Sequence, residues 1–207
     1  MSEDDENEER INIMALGNAE VGKTSFILKY TENTFEEVYL GTIGIDYKIK
    51  FITIKDKQYK LFFYDTTGQE KYKSIALNII KNVHGIILMY DITNGSSYDS
   101  LSNWIQSIKE ERGNNFPMIL LGNKTDLQNK RVINKEEGEY FAKNNNIEFF
   151  ETSCKDGINI NEAGLCIIHK IIEIKEKEGY ENNSSHSSKL SKSSSNSKKA
   201  DSKKCCY

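Results

Sequence analysis

The chain has 207 residues, 37 % hydrophobic and 10 % aromatic, with a formal charge of −3, which suggests one domain with a real core and a little chain to spare. Residues 1–9 carry six acids and no base, residues 180–207 carry six lysines against two acids, and the body between them is close to neutral; a broad nucleic-acid-binding face would need a basic excess there. Four cysteines, an acidic start unlike a signal peptide and no apolar run near ~18 residues point to a soluble intracellular protein, neither a disulfide scaffold nor a membrane span.

In chain order, Ile11, Ile13 and Ala15 alternate ahead of Gly17, as in a strand. Gly17-Asn18-Ala19-Glu20-Val21-Gly22-Lys23-Thr24 follows, matching G-x-x-x-x-G-K-[ST] between a predicted strand and a predicted helix. Glycines there let successive backbone N–H groups wrap a polyphosphate, and the helix N-terminus adds favourable partial charge. Lys23 then reaches the β- and γ-phosphates, while the Thr24 hydroxyl takes a place on Mg²⁺. A glycine-rich turn that binds nothing is the bland alternative.

Ile45 to Ile54 alternates again, and short apolar bursts follow at Leu61–Tyr64, Ile86–Met89 and Met118–Leu121. Bursts of this kind fit strands buried on both faces of a parallel sheet. Leu101, Trp104, Ile105 and Ile108 keep helical spacing, as do Gly164, Ile167, Ile168, Ile171 and Ile172. Alternating elements predict an α/β fold: a mostly parallel central sheet with helices on both faces, and ligands at the carboxyl ends of the strands.

Three loops stand at such ends. Asp65-Thr66-Thr67-Gly68-Gln69 supplies a carboxylate for the Mg²⁺ shell, a glycine N–H for a γ-phosphate and Gln69 to orient a water. Asn123-Lys124-Thr125-Asp126 offers guanine what its edge demands, because N1–H and N2–H₂ are donors and the Asp126 carboxylate is an acceptor pair. Adenine would leave that carboxylate unpaired, a mismatch that rejects by roughly 10⁴-fold. Ser153-Cys154-Lys155, after a Phe149–Thr152 strand, can back the base with main-chain donors. Each loop alone is an ordinary polar turn; all four in this order are not chance.

On these residues the chain resembles the Ras superfamily of small GTPases, over roughly residues 10–175 and again at the terminal cysteines. The resemblance implies a P-loop G domain that binds GTP and GDP with Mg²⁺ and hydrolyses GTP slowly. Thr42, in Gly41-Thr42-Ile43-Gly44, would be the switch I threonine sensing Mg²⁺ and the γ-phosphate, so that Thr24, Thr42 and Asp65 hold the metal. Phe35 would stack on the guanine edge, and Ser25 would follow Thr24 into the phosphate-binding turn. Within the superfamily Thr42–Tyr47, Lys60–Thr66, Gln69–Tyr72 and Met89–Thr93 look most like Rab proteins of vesicle traffic. The likeness implies an exchange factor, a GTPase-activating protein, effectors, an escort protein and a GDP dissociation inhibitor as partners. It also implies residence on the cytoplasmic face of a membrane, cycling with cytosol.

The expected organisation is an acidic disordered segment at 1–9, the G domain at 10–177 and a flexible tail at 178–207. Serine, asparagine and lysine dominate the tail and cannot support a packed structure. Its Cys205-Cys206-Tyr207 looks like a Rab-type double prenylation site, and two lipids anchor stably where one does not. Lys198, Lys199, Lys203 and Lys204 beside it would add attraction to an anionic leaflet. Four residues depart from the Rab pattern: Tyr64 for tryptophan, Thr67 for alanine, a carboxylate at Glu20 in the phosphate loop and Ile79-Ile80 for a tyrosine pair. Thr67 and Glu20 raise the rival reading, a hydrolysis-impaired GTP-binding docking module. A P-loop metabolic kinase would need a lid and an arginine-rich segment, which the sequence lacks.

Overall fold

Strands β4 (Gly85–Asp91) and β5 (Met118–Asn123) are buried at every position, the environment that an apolar run without alternation requires. The computed structural model describes residues 8–36, 45–66 and 73–193. In it these strands join β1 (Glu9–Leu16), β2 (Ile45–Ile54), β3 (Lys57–Thr66) and β6 (Glu148–Glu151) in a six-stranded sheet of order β2-β3-β1-β4-β5-β6. All pairings are parallel except β2 with β3, where Ile45 stands opposite Thr66 and Ile54 opposite Lys57. The turn of that hairpin is Lys55-Asp56, with φ of 50 and 61. Two left-handed residues match the twist of the flanking strands, but neither is glycine or asparagine, so the long ladder imposes the turn.

One expectation is corrected at β3. The Leu61–Tyr64 burst is not buried on both faces: Leu61 and Phe63 are buried, while Phe62 and Tyr64 are half-buried. An antiparallel pair at a sheet edge packs one face on the core and leaves the other to solvent. Arg10 partly covers that outer face, its guanidinium 3.9 Å over the Phe62 ring and Nη2 donating to the Tyr64 hydroxyl at 3.0 Å.

Helices α1 (Lys23–Glu32), α2 (Lys73–Ile80), α3 (Gly95–Asp99), α4 (Leu101–Arg112), α5 (Lys135–Asn145) and α6 (Ile160–Ser193) alternate with the strands. On one face Met14, Leu88, Tyr90 and Leu120 pack with Trp104, Ile105 and Ile108 of α4, the residues whose helical spacing announced that helix. On the other, Tyr30 of α1 sets its ring edge-on against Phe63 at 5.3 Å. Helix α5 starts on a reciprocal cap: Glu137 Oε2 accepts from the Asn134 N–H at 2.8 Å. This layering leaves the carboxyl ends of β1, β3, β5 and β6 on one side of the sheet.

The chain divides into two compact units, Met1–Ile171 and Ile172–Tyr207. The backbone of α6 is helical as far as Ser193, past the 178 boundary expected from composition. The acids before Glu8, residues Thr42, Thr67, Gly68 and Gln69, and the terminal Cys205 and Cys206 lie outside the described residues.

Candidate functional site

The phosphate loop is shaped by two close approaches. A Cβ on Gly17 (φ 140) would lie 2.2 Å from the Met89 carbonyl oxygen, and one on Gly22 (φ 101) 2.2 Å from Asn123 Nδ2. No other residue type satisfies a positive φ and such contact together. Between them Asn18 is anchored to the α3–α4 face, its Nδ2 donating to Ser100 Oγ at 3.0 Å and its Oδ1 accepting from Trp104 Nε1 at 3.2 Å. Helix α1 then starts on Gly22 without a side-chain cap, so its first N–H groups keep their positive end for a ligand.

Lys23 is almost fully buried, and its Nζ donates to the carbonyls of Gly17 (3.1 Å) and Asn18 (2.7 Å). Burial pulls its ammonium down to about 8, against the opposing field of Asp65. Thr24 donates its hydroxyl to Asp65 Oδ2 at 2.7 Å, which brings together two predicted metal ligands from the ends of different elements. A hydroxyl and a carboxylate beside a phosphate loop form a hard-oxygen donor set. It suits Mg²⁺, which uses one or two protein oxygens and completes its shell with phosphate and water.

A cavity of ≈ 360 Å³ opens in front of these groups. Its lining includes Glu20, Gly22, Lys23, Thr24, Ser25, Phe35, Asn123, Lys124, Asp126, Cys154 and Lys155, which the sequence singled out, together with Glu36 and Leu127, which it did not. Ala19, Val21, Ser153 and Asp65 stand outside the lining. Val21 and Ser153 act from behind it: the Val21 carbonyl accepts from Asn123 Nδ2 at 2.9 Å, and Ser153 Oγ donates to Asp126 Oδ1 at 2.8 Å. The Ser153 N–H is spent on the Ile158 carbonyl at 3.3 Å, so it is not a main-chain donor toward the cavity. Glu20, part of that lining, is exposed at φ 64.

Asn123 joins the parts. Its amide donates to the phosphate loop at Val21, while Oδ1 accepts from Thr152 Oγ1 at 3.2 Å and from the Cys154 thiol at 3.3 Å. Burial, against the lowering effect of that bond to Asn123, pushes the Cys154 thiol up to about 12, so it acts as a small donor and not as a nucleophile. Asn18 with Trp104 and Thr152 with Asn123 escaped the sequence reading because their partners are distant in the chain and carry no motif.

A phosphate loop, a carboxylate one strand away and a cavity at the strand ends, lined by that loop and by the Asp126 loop, together define a Ras-type G domain. The Ras family model matches residues 12–173. Rab-13 of Rattus norvegicus is 40 % identical over 160 residues, covering 77 % of this chain and 79 % of the relative, and Rab-13 of Mesocricetus auratus is 38 % identical over 193 residues, covering 93 % and 94 %. Rab-3A of Homo sapiens is 40 % identical over 161 residues, covering 78 % and 73 %. The chain belongs to the Ras family, on its Rab branch, and is a small GTPase that converts GTP to GDP.

Proposed function

We propose that this chain is a Mg²⁺-dependent GTP/GDP switch of vesicle traffic that hydrolyses GTP slowly and recruits effectors while GTP-bound. One observation carries the reading: a single cavity is lined by Lys23 and Thr24 of the phosphate loop and also by Asp126, a combination that suits a ligand offering both phosphates and a two-donor base edge. Lys23 would neutralise the β- and γ-phosphates, and Ser153 would hold Asp126 in the orientation that meets N1–H and N2–H₂. Thr24 and Asp65, with Thr42, would hold Mg²⁺, which when bound would supply charge neutralisation to the phosphates. Gln69 would orient the attacking water, Gly68 would offer its N–H to the γ-phosphate, and Phe35 would stack on the guanine edge. No arginine serves the site within the described lining, so fast turnover calls for a GTPase-activating protein. Exchange factor, effectors, escort protein and GDP dissociation inhibitor follow from the family.

The same reading places residues 10–177 in the G domain and the anchor at Cys205 and Cys206, prenylated and drawn by nearby lysines to an anionic cytoplasmic surface. Displacement of a fluorescent GDP tests the base assignment: Asp126→Asn should shift preference from guanine to xanthine nucleotides by roughly a hundredfold or more. Unchanged GTP affinity there would sink it. Single-turnover hydrolysis in Mg²⁺ tests the slow rate; turnover that is fast without a GTPase-activating protein would refute it.

A further inference from the structure

Lys124 lines the cavity beside Asp126, with its backbone in the left-handed region at φ 71. Its ammonium meets Asp91 Oδ2 at 2.8 Å. Asp91 is outside the cavity lining. It ends β4, is 5 % exposed and stands opposite Asn123 in the β4–β5 ladder. The next backbone bond, from the Ile92 N–H to the Asn123 carbonyl at 3.1 Å, closes the two strand ends together. The other carboxylate oxygen, Oδ1, accepts from the Thr93 N–H at 2.8 Å and the Thr93 hydroxyl at 2.7 Å.

That carboxylate therefore has one orientation, set by Thr93, and one free face, given to Lys124. We infer that Asp91 is a positioning residue for the base pocket: through Lys124 it holds a pocket wall in place before the nucleotide arrives, and so sets how long the nucleotide stays. A lysine stem is long and flexible, and ordering it on binding subtracts from affinity. A buried, hydrogen-bonded carboxylate orders it in advance. A purely structural ion pair would instead neutralise a buried charge and act on folding alone. The inference rests on the guanine-nucleotide reading of the cavity and adds to it a residue that does not touch the ligand.

The test is release of fluorescent GDP from the full chain in Mg²⁺, with melting of the GDP-loaded protein alongside. Asp91→Asn keeps size and an acceptor for Thr93 but removes the charge. It should speed release about tenfold, as loss of one charge-assisted hydrogen bond does. Thr93→Val keeps the charge but unlocks the carboxylate, and should speed release roughly threefold. Lys124→Met should also speed release, and Asp91→Asn added to it should change nothing further, because the two act as one unit. If Asp91→Asn does not fold, Thr93→Val carries the test by the same criterion, acceleration that vanishes in the Lys124→Met background. Wild-type release rates in both Asp91→Asn and Thr93→Val, or effects that simply add to Lys124→Met, would overturn the positioning role and leave the guanine reading standing. A wild-type chain that does not retain GDP would overturn both.

Discussion

Burial holds the Lys23 ammonium at about 8 in the ligand-free fold, and this makes nucleotide binding a proton-linked event. A polyphosphate placed against Nζ favours the charged form, so the bound lysine returns to at least its ordinary value. The sign follows from linkage. Below about 8 the lysine is already charged and affinity is flat with pH; above it, binding must take up a proton, and affinity falls as pH rises. With a free value of about 8, Kd for GDP should rise about tenfold from pH ~7 to pH ~9, with about half a proton taken up per GDP at pH ~8. Titration calorimetry in two buffers of different ionisation enthalpy measures that uptake directly. Guanine has its own N1 proton, so Lys23→Met serves as reference: it should weaken binding roughly a hundredfold and keep only the pH dependence that belongs to the base. A wild-type Kd that is flat across this interval, with an enthalpy independent of buffer, would refute the argument.

Other expectations follow from single contacts. Asn123→Ala removes the donor to Val21 and the acceptor for Thr152 and Cys154, and should cost about 1–3 kcal/mol in denaturant unfolding of the GDP-loaded protein; no change in midpoint would deny Asn123 its stapling role. Gly138→Ala places a Cβ 2.5 Å from the Tyr90 hydroxyl and from the Phe149 ring, and overpacking of this kind should destabilise by about 1–3 kcal/mol, read as a lower Tm. Cys205→Ser with Cys206→Ser should move the protein from the membrane to the soluble fraction without altering nucleotide affinity; undiminished membrane binding would place the anchor elsewhere.

What could be read without coordinates was chemistry confined to a few consecutive residues. The spacing of Gly17, Gly22, Lys23 and Thr24 states a backbone requirement and a charge requirement in one short stretch. Asp126 is legible in the same way as an acceptor pair, and the unbroken runs at β4 and β5 announce a parallel sheet because no polar face interrupts them. The Lys55-Asp56 turn was not legible, since its left-handed angles are imposed by the β2–β3 ladder and not by its own residues. Nor was the half-exposure of Phe62 and Tyr64, which depends on β3 lying between β1 and an antiparallel edge strand. Asn18 with Trp104, Thr152 with Asn123 and Asp91 with Lys124 are pairs that only the folded sheet brings to within hydrogen-bonding distance. Local sequence dictates which groups a site contains. The charge Lys23 carries at a given pH, and what holds Lys124 against the cavity wall, depend on which distant residues exclude water and lend a partner, and that only the tertiary structure decides.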